Sequence, residues 1–207
     1  FNKDFNFISV VVSTALQDWG YKLPNNPCSF FKREQEAKPR DRILEDWEER
    51  KLLHGCSLIP NTYLTKCVEF SLETAIRQGE MLNIHYDDID FENSLLHIPI
   101  SKNGYPRKIP LSPKAVRILR ELPRRLDRKV FPITRDALKN LFQRALKKSN
   151  IQEFRYHDLR HTAITSMLQD RGLTIPEVQL MSGIRNPKIL LNVYNKTDPR
   201  KVVARLS

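Results

Sequence analysis

Residues 155–172, RYHDLRHTAITSMLQDRG, hold the pattern on which the prediction of the fold depends. Leu159, Ile164 and Met167 recur at helical spacing, which predicts a helix that is packed on one face. Gly172 ends the pattern, because glycine readily adopts the left-handed conformation that closes a helix. The sequence therefore predicts a packed helix here, with histidines and arginines near its start.

Similar patterns on both sides predict an α+β fold that is mainly helical, with one small antiparallel β-sheet. A strand is expected at residues 94–100, followed by a hairpin turn at Asn103-Gly104 and a returning strand within residues 105–112. Further helices are predicted at residues 3–19, 44–56, 62–76, 112–122, 134–150 and 174–183, with a short final helix or turn at 187–196.

A polar connector, KREQEAKPRDR at residues 32–42, divides the chain into two predicted domains. Residues 39–207 form the main domain in this interpretation. Residues 1–38 contain one amphipathic helix, and a single helix cannot bury its own apolar stripe. We therefore interpret residues 1–38 as the end of an upstream domain together with a linker.

The charge indicates a polyanionic partner. The net charge is +11 and the pI is about 9.7, which favours nucleic acid through phosphate contacts and counterion release. An acidic membrane surface or a charge that serves only solubility are the alternatives.

No apolar run is long enough to span a bilayer, and three unpaired cysteines are typical of a cytoplasmic protein. Their spacing predicts neither a metal site nor a disulfide framework.

Several polar residues suit chemistry on a phosphodiester, which requires a nucleophile, cations on the non-bridging oxygens and a general acid. Arg77 lies in an apolar stretch, TAIRQGEML, and Glu80 follows three residues later on the same predicted helix face. An arginine matches a phosphate with its planar fork. The alternative for this pair is a partly buried ion pair at a helix end.

Other candidates each have a structural alternative. His157 and Arg160 lie on one predicted helix face, where they could equally be ordinary surface residues. A metal ion held by His157 and His161 is a weaker option, because the pattern lacks the glutamate of zinc proteases. Lys102 enters the hairpin turn, where a lysine is usually only solvated. Tyr194 follows ILLNV and would pack well as a core residue.

Taken together, these residues resemble the catalytic domain of the tyrosine recombinases of the phage integrase type. The residues that carry the resemblance are, in chain order, Arg77, Lys102, His157, Arg160 and Tyr194. The resemblance extends over about residues 40–200 and includes the strand-and-hairpin segment. Residues 1–30 resemble the end of the family's N-terminal core-binding domain, which clamps DNA.

The resemblance implies a role for each position. Tyr194 would attack a DNA phosphate and form a 3′-phosphotyrosine link. Arg77 and Arg160 would hold the non-bridging oxygens, and Lys102 would protonate the leaving 5′ oxygen. His157 would act in acid–base work near the tyrosine. No metal or other cofactor is implied, because the phosphotyrosine bond conserves the energy of the cut ester.

Two further positions concern the neighbourhood of the arginines. Glu80 matches the supporting acid that orients them in the family. The family usually has a histidine or tryptophan nine residues before the tyrosine, and here that position is Arg185, preceded by Ile184. Arg185 replaces the missing donor in the interpretation we favour; a site without that donor and a weakened enzyme are the alternatives.

The resemblance implies a site-specific DNA recombinase of the integrase or invertase type in the cytoplasm of a bacterium, associated with the nucleoid or encoded by a phage. Its partners would be double-stranded DNA and three further copies of the chain, forming a homotetramer on paired sites. An accessory DNA-bending protein is a further possible partner. The alternatives are a catalytically weakened DNA-binding regulator and a type IB topoisomerase-like enzyme. The basic helix near residues 134–150 offers four candidate DNA contacts: Lys139, Arg144, Lys147 and Lys148.

Overall fold

The computed structural model describes residues 2–31, 42–99 and 106–194, with only the backbone described for Lys3 and residues 192–194. The predicted turn at residues 103–104, Lys102 and the tail after Tyr194 therefore lie outside the described residues. The chain divides into two compact units, residues 1–40 and residues 41–207.

The first unit contains helix α1, Asn2–Gln17, and a short 3₁₀ helix, Pro27–Phe30. The Asn26 side chain joins the two parts, because its amide donates to the Ser9 carbonyl at 2.8 Å and its oxygen accepts from the Cys28 backbone at 2.9 Å. Phe5 packs against Phe31, with 6.2 Å between ring centroids, but among the described residues much of the apolar side of α1 is exposed, and Phe7 is 71% exposed.

The second unit is mainly helical, as predicted. Its helices are α2 (Asp46–Ser57), α3 (Thr62–Thr74), α4 (Gln78–Met81), α5 (Pro113–Glu121), α6 (Arg135–Ser149), α7 (Asp158–Gln169), α8 (Ile175–Ser182) and α9 (Pro187–Tyr194). Its strands are β1 (Ile89–Asp90), β2 (Leu95–Ile98) and β3 (Arg107–Pro110). In the described parts of the chain, no helix combines the length and the apolar character needed to cross a bilayer.

The strands form one antiparallel sheet in the order β1-β2-β3. Leu96 and Ile109 pair across β2 and β3, and both are fully buried. Strand β1 was not predicted, because two residues are too short to show alternation. Asp90 fixes the turn after β1 by accepting from the Asn93 backbone at 2.9 Å. The α+β prediction with a small antiparallel sheet is confirmed.

Helix α7 is central to the second unit, since it packs against α3, α8 and α9. Leu159 and Ile164 on this helix are fully buried, so the packed helix predicted from residues 155–172 is confirmed. The C-terminal side of α7 is held by Glu73 of α3, whose carboxylate is 3.0 Å from the Arg171 guanidinium and 3.1 Å from the Lys114 ammonium. One buried carboxylate thus joins α3, α5 and the segment after α7.

The prediction that one helix covers residues 62–76 is wrong at its end. Helix α3 stops at Thr74, and Ala75 has a left-handed backbone with φ of 52°. Arg77 consequently lies between two helices, as the residue that precedes α4, and it does not share a helix face with Glu80 as expected.

Candidate active site

Arg77 is held by one edge of its guanidinium group. Nη1 lies 3.1 Å from Oε1 of Glu80, and Nη2 donates to the carbonyl of Gly183 at 3.0 Å. The side chain nevertheless remains 40% exposed. These contacts fix the position of the cation without enclosing it, so that it can still accept an anion from solvent.

Glu80 is the buried centre of this arrangement. Arg107 of strand β3 donates to both of its carboxylate oxygens, at 3.0 and 2.7 Å. Burial alone would raise the pKa of Glu80, but the hydrogen bonds and charge of Arg107, followed by the charge of Arg77, lower it below its ordinary value. Glu80 is therefore a carboxylate shared by two arginines.

Arg107 was not predicted as part of the site. Its place in the strand carries a signal, because side chains two residues apart on a strand lie on the same face of the sheet. Ile109, two residues on, is fully buried. An arginine on the buried face requires a partner, and Glu80 is that partner.

Arg160 and His157 approach Arg77 from the start of α7. Arg160 is buried and donates to the carbonyl of Ala75, two residues before Arg77. Burial, then the charge of Arg160 and also that of Arg77, lower the pKa of His157 from 6.5. Burial and the two guanidinium groups thus disfavour the charged imidazolium form of His157.

His161 stacks edge-on against His157, with 5.4 Å between ring centroids. We assign it no chemistry. Among the described residues, no group of three or more histidine, cysteine, aspartate or glutamate side chains is placed to hold a metal ion.

Gly183 ends helix α8 with a left-handed φ of 67° and passes close to Arg107. A Cβ atom added at Gly183 would lie 2.9 Å from the Arg107 guanidinium carbon. The next turn is fixed by Gln179, whose side-chain amide donates to the carbonyls of Ile184 at 3.2 Å and Arg185 at 2.6 Å. The Arg185 residue is exposed.

Part of this site borders an open cavity of about 400 Å³, and Glu80, His157 and Arg160 do not line it. Its lining consists of Arg77, Pro106, Arg107, Pro176, Gln179, Leu180, Gly183, Ile184 and Arg185. Arg77 and Arg185 make this cavity suitable for a phosphate group, whereas Arg107 is occupied by Glu80.

The remaining predicted residues stand differently. Tyr194 is the last residue of α9, which begins four residues after Gly183 and contacts α7 and α8. Buried Leu190 anchors this helix, but the phenol ring of Tyr194 and all of Lys102 lie outside the described part of the structure. The four cations predicted to bind DNA are all exposed on α6 and do not line the cavity: Lys139, Arg144, Lys147 and Lys148.

Comparison with known proteins gives the family that the sequence resembles. The Phage integrase family matches residues 42–201 of the 207. The chain belongs to the phage integrase family. A shufflon-specific DNA recombinase of Escherichia coli is 33% identical over 88% of this chain and 47% of its own length. Tyrosine recombinase XerA of Saccharolobus solfataricus is 28% identical over 75% of this chain and 51% of its own.

Solved structures of phage integrase relatives share the fold. The Tn1549 transposon integrase in complex with a circular intermediate DNA aligns with a TM-score of 0.77 at 20% identity, over 100% of this chain and 78% of that one. A lambda integrase dimer bound to a COC′ core site aligns with a TM-score of 0.73 at 18% identity, over 92% and 57%. The chain spans about half the length of the two recombinases described above.

The contact between Gly183 and Arg107 can be tested with two alanine substitutions. Gly183→Ala and Gly172→Ala impose the same backbone strain, because φ is 67° and 68°, but a Cβ at Gly172 meets no atom within 4 Å. We expect both variants to lose roughly 1–2 kcal/mol of unfolding free energy through that strain. Gly183→Ala should lose roughly 1–3 kcal/mol more through overpacking. Urea unfolding measures the free energy of unfolding of both variants. Equal losses would show that the contact between Gly183 and Arg107 contributes nothing to stability.

The neutral state of His157 can be tested by NMR titration. Burial and the neighbouring guanidinium groups disfavour the imidazolium, so we expect the midpoint of its ring signals to lie below pH 6.5. The spectrum of His157→Gln identifies which signals belong to this ring. A midpoint at or above 6.5 would contradict the electrostatic environment described here.

Proposed function

We propose that this chain cuts and rejoins DNA as a site-specific recombinase, through a covalent 3′-phosphotyrosine intermediate. The observation that supports this most strongly is the convergence of Arg77 and Arg160 from distant parts of the sequence, because burial lowers the pKa of His157 and both guanidinium groups lower it further. Two fixed guanidinium groups suit the two non-bridging oxygens of one phosphodiester. Membership of the family supports the same reaction.

In the proposed reaction, the phenol oxygen of Tyr194 attacks phosphorus and the bond to the 5′ oxygen breaks. Lys102 gives a proton to that leaving oxygen. Arg77 and Arg160 stabilise the negative charge that develops on the phosphate, and His157 assists proton transfer near the tyrosine. A 5′ hydroxyl of another strand then attacks the phosphotyrosine and releases Tyr194, which joins the strands.

Arg185 is proposed as the donor at the position where the family usually has histidine or tryptophan. Its residue is exposed and lines the same cavity as Arg77. Ile184 cannot donate from its side chain, so the charge of Arg185 is the one suited to a phosphate in this turn. This placement favours an active enzyme over a regulator that has lost catalysis.

The proposed partner is double-stranded DNA, bound by a homotetramer on paired sites. The net charge of +11 supports a polyanionic partner. The Tn1549 integrase is in complex with DNA, and the lambda integrase is a dimer on its core site. On this chain, the exposed side of α6 is the proposed surface for backbone phosphates.

Tyr194→Phe tests the nucleophile. On a nicked suicide duplex, the unmodified protein should form a covalent adduct that survives denaturing electrophoresis. Tyr194→Phe should bind the duplex equally well and form no adduct, because it lacks the attacking oxygen. Tyr63→Phe in α3 is a matched control that removes a phenolic hydroxyl elsewhere and should leave the adduct unchanged. An adduct with Tyr194→Phe would show that another residue attacks.

Helix α6 can be tested through the salt dependence of DNA binding. The slope of log K against log salt is negative. Replacement of the four exposed cations of α6 by glutamine should reduce its magnitude by roughly 0.9 for each phosphate that the variant no longer neutralises. Arg117→Gln on α5, where Arg117 is 68% exposed, is the control and should leave the slope unchanged. An unaltered slope in the four-residue variant would exclude this face from the interface.

A further inference from the structure

The bond between Arg107 and Glu80 is a buried ion pair with a cost. The Arg107 side chain is 10% exposed and that of Glu80 is 5% exposed. Among the described residues, Nε of Arg107 is buried without a hydrogen-bond partner. Buried ion pairs often contribute little net stability compared with apolar residues of similar volume. A role in the site therefore explains Arg107 better than a role in stability.

The charges around Glu80 show what that role is. With Arg77 and Glu80 alone, the local charge would be zero and the carboxylate would compete with a phosphate for Arg77. Arg107 takes both carboxylate oxygens at 2.7–3.0 Å, whereas the Arg77 guanidinium contacts Oε1 at 3.1 Å and only its backbone N–H reaches Oε2, at 3.3 Å. With all three groups present the sum is +1, and the cation left over is the one that is 40% exposed.

We propose that Arg107 is a positioning residue that neutralises Glu80, so that Glu80 can hold Arg77 in place without removing its positive charge from the phosphate site. The proposal deepens the proposed function and rests on it. Arg107 acts through Glu80 and does not touch the phosphate, because its guanidinium is covered by Glu80 on one side and by Gly183 on another.

A charge-rescue experiment tests this. In Arg107→Gln the charge of Glu80 is offset by Arg77 and the sum falls from +1 to zero, so the rate of adduct formation on the nicked duplex should fall by about 10-fold to 100-fold, approaching the loss of one donor to the transition state. Glu80→Gln in the same chain removes that carboxylate charge and restores the sum of +1. The double variant should therefore recover most of the lost rate. A purely structural role predicts that the rates of the variants follow their folded fractions, and that the rate per folded molecule is the same in Arg107→Gln and in the double variant.

Two controls keep the outcome clear. Arg107→Lys keeps the charge and loses the two-pronged hydrogen bond, so its rate should lie between those of the unmodified protein and Arg107→Gln. Urea unfolding of every variant identifies any that fail to fold. If Arg107→Gln does not fold, the rate of adduct formation by the double variant still tests the proposal. A rate within a few-fold of the unmodified protein supports it, and a loss as large as about 100-fold overturns it.

A binding measurement separates this proposal from the proposed reaction. In proteins that also carry Tyr194→Phe, Arg77→Gln should reduce the magnitude of the negative slope of log K against log salt for duplex binding by roughly 0.9. The same change in the Arg107→Gln background should have little effect, because Arg77 is already neutralised there. If the unmodified protein forms no adduct but the slopes behave in this way, the reaction is wrong and the role of Arg107 stands. Equal changes in both backgrounds, or an adduct without charge rescue, overturn the role of Arg107.

Discussion

The carboxylate of Glu80 is the group on which the site depends. It is buried, it receives both arms of the Arg107 guanidinium, and it fixes one edge of Arg77. A buried carboxylate without cations would be costly or would take up a proton. Its pKa is instead lowered by the two arginines. This single anion therefore joins strand β3 to the turn before α4, and it does so while leaving a cation exposed.

Backbone geometry provides the second support of the site. Ala75 adopts a left-handed conformation, which costs a non-glycine residue about 1–2 kcal/mol. This conformation ends α3 two residues before Arg77, and the Ala75 carbonyl accepts a hydrogen bond from Arg160. The Gly183 carbonyl does the same for Arg77 at 3.0 Å. Backbone carbonyls at helix ends, and not side chains alone, thus fix the positions of the two guanidinium groups.

The sequence predicts most of the fold because helical periodicity and end signals are local. Ser112, the first residue of the helix predicted at 112–122, caps α5 by accepting from the Ala115 backbone at 3.1 Å. The spacing of Arg77 and Glu80 is compatible with an ion pair, and the two side chains are bonded at 3.1 Å. Arg107 was missed because its partner is 27 residues away in sequence, and no local pattern indicates which buried acid meets a given strand residue. The end of α3 at Ala75 was missed for a different reason: alanine normally favours helix, so the local sequence gives no stop signal there.

The most direct test of the account is a crystal structure of Tyr194→Phe protein bound to a duplex with an intact phosphodiester at the site. The account predicts that Arg77 and Arg160 donate to the non-bridging oxygens of one phosphate, while Arg107 keeps both hydrogen bonds to Glu80 and makes no contact with DNA. A structure in which Arg107 leaves Glu80 to bind the phosphate, or in which Arg77 turns away from the DNA, would contradict it.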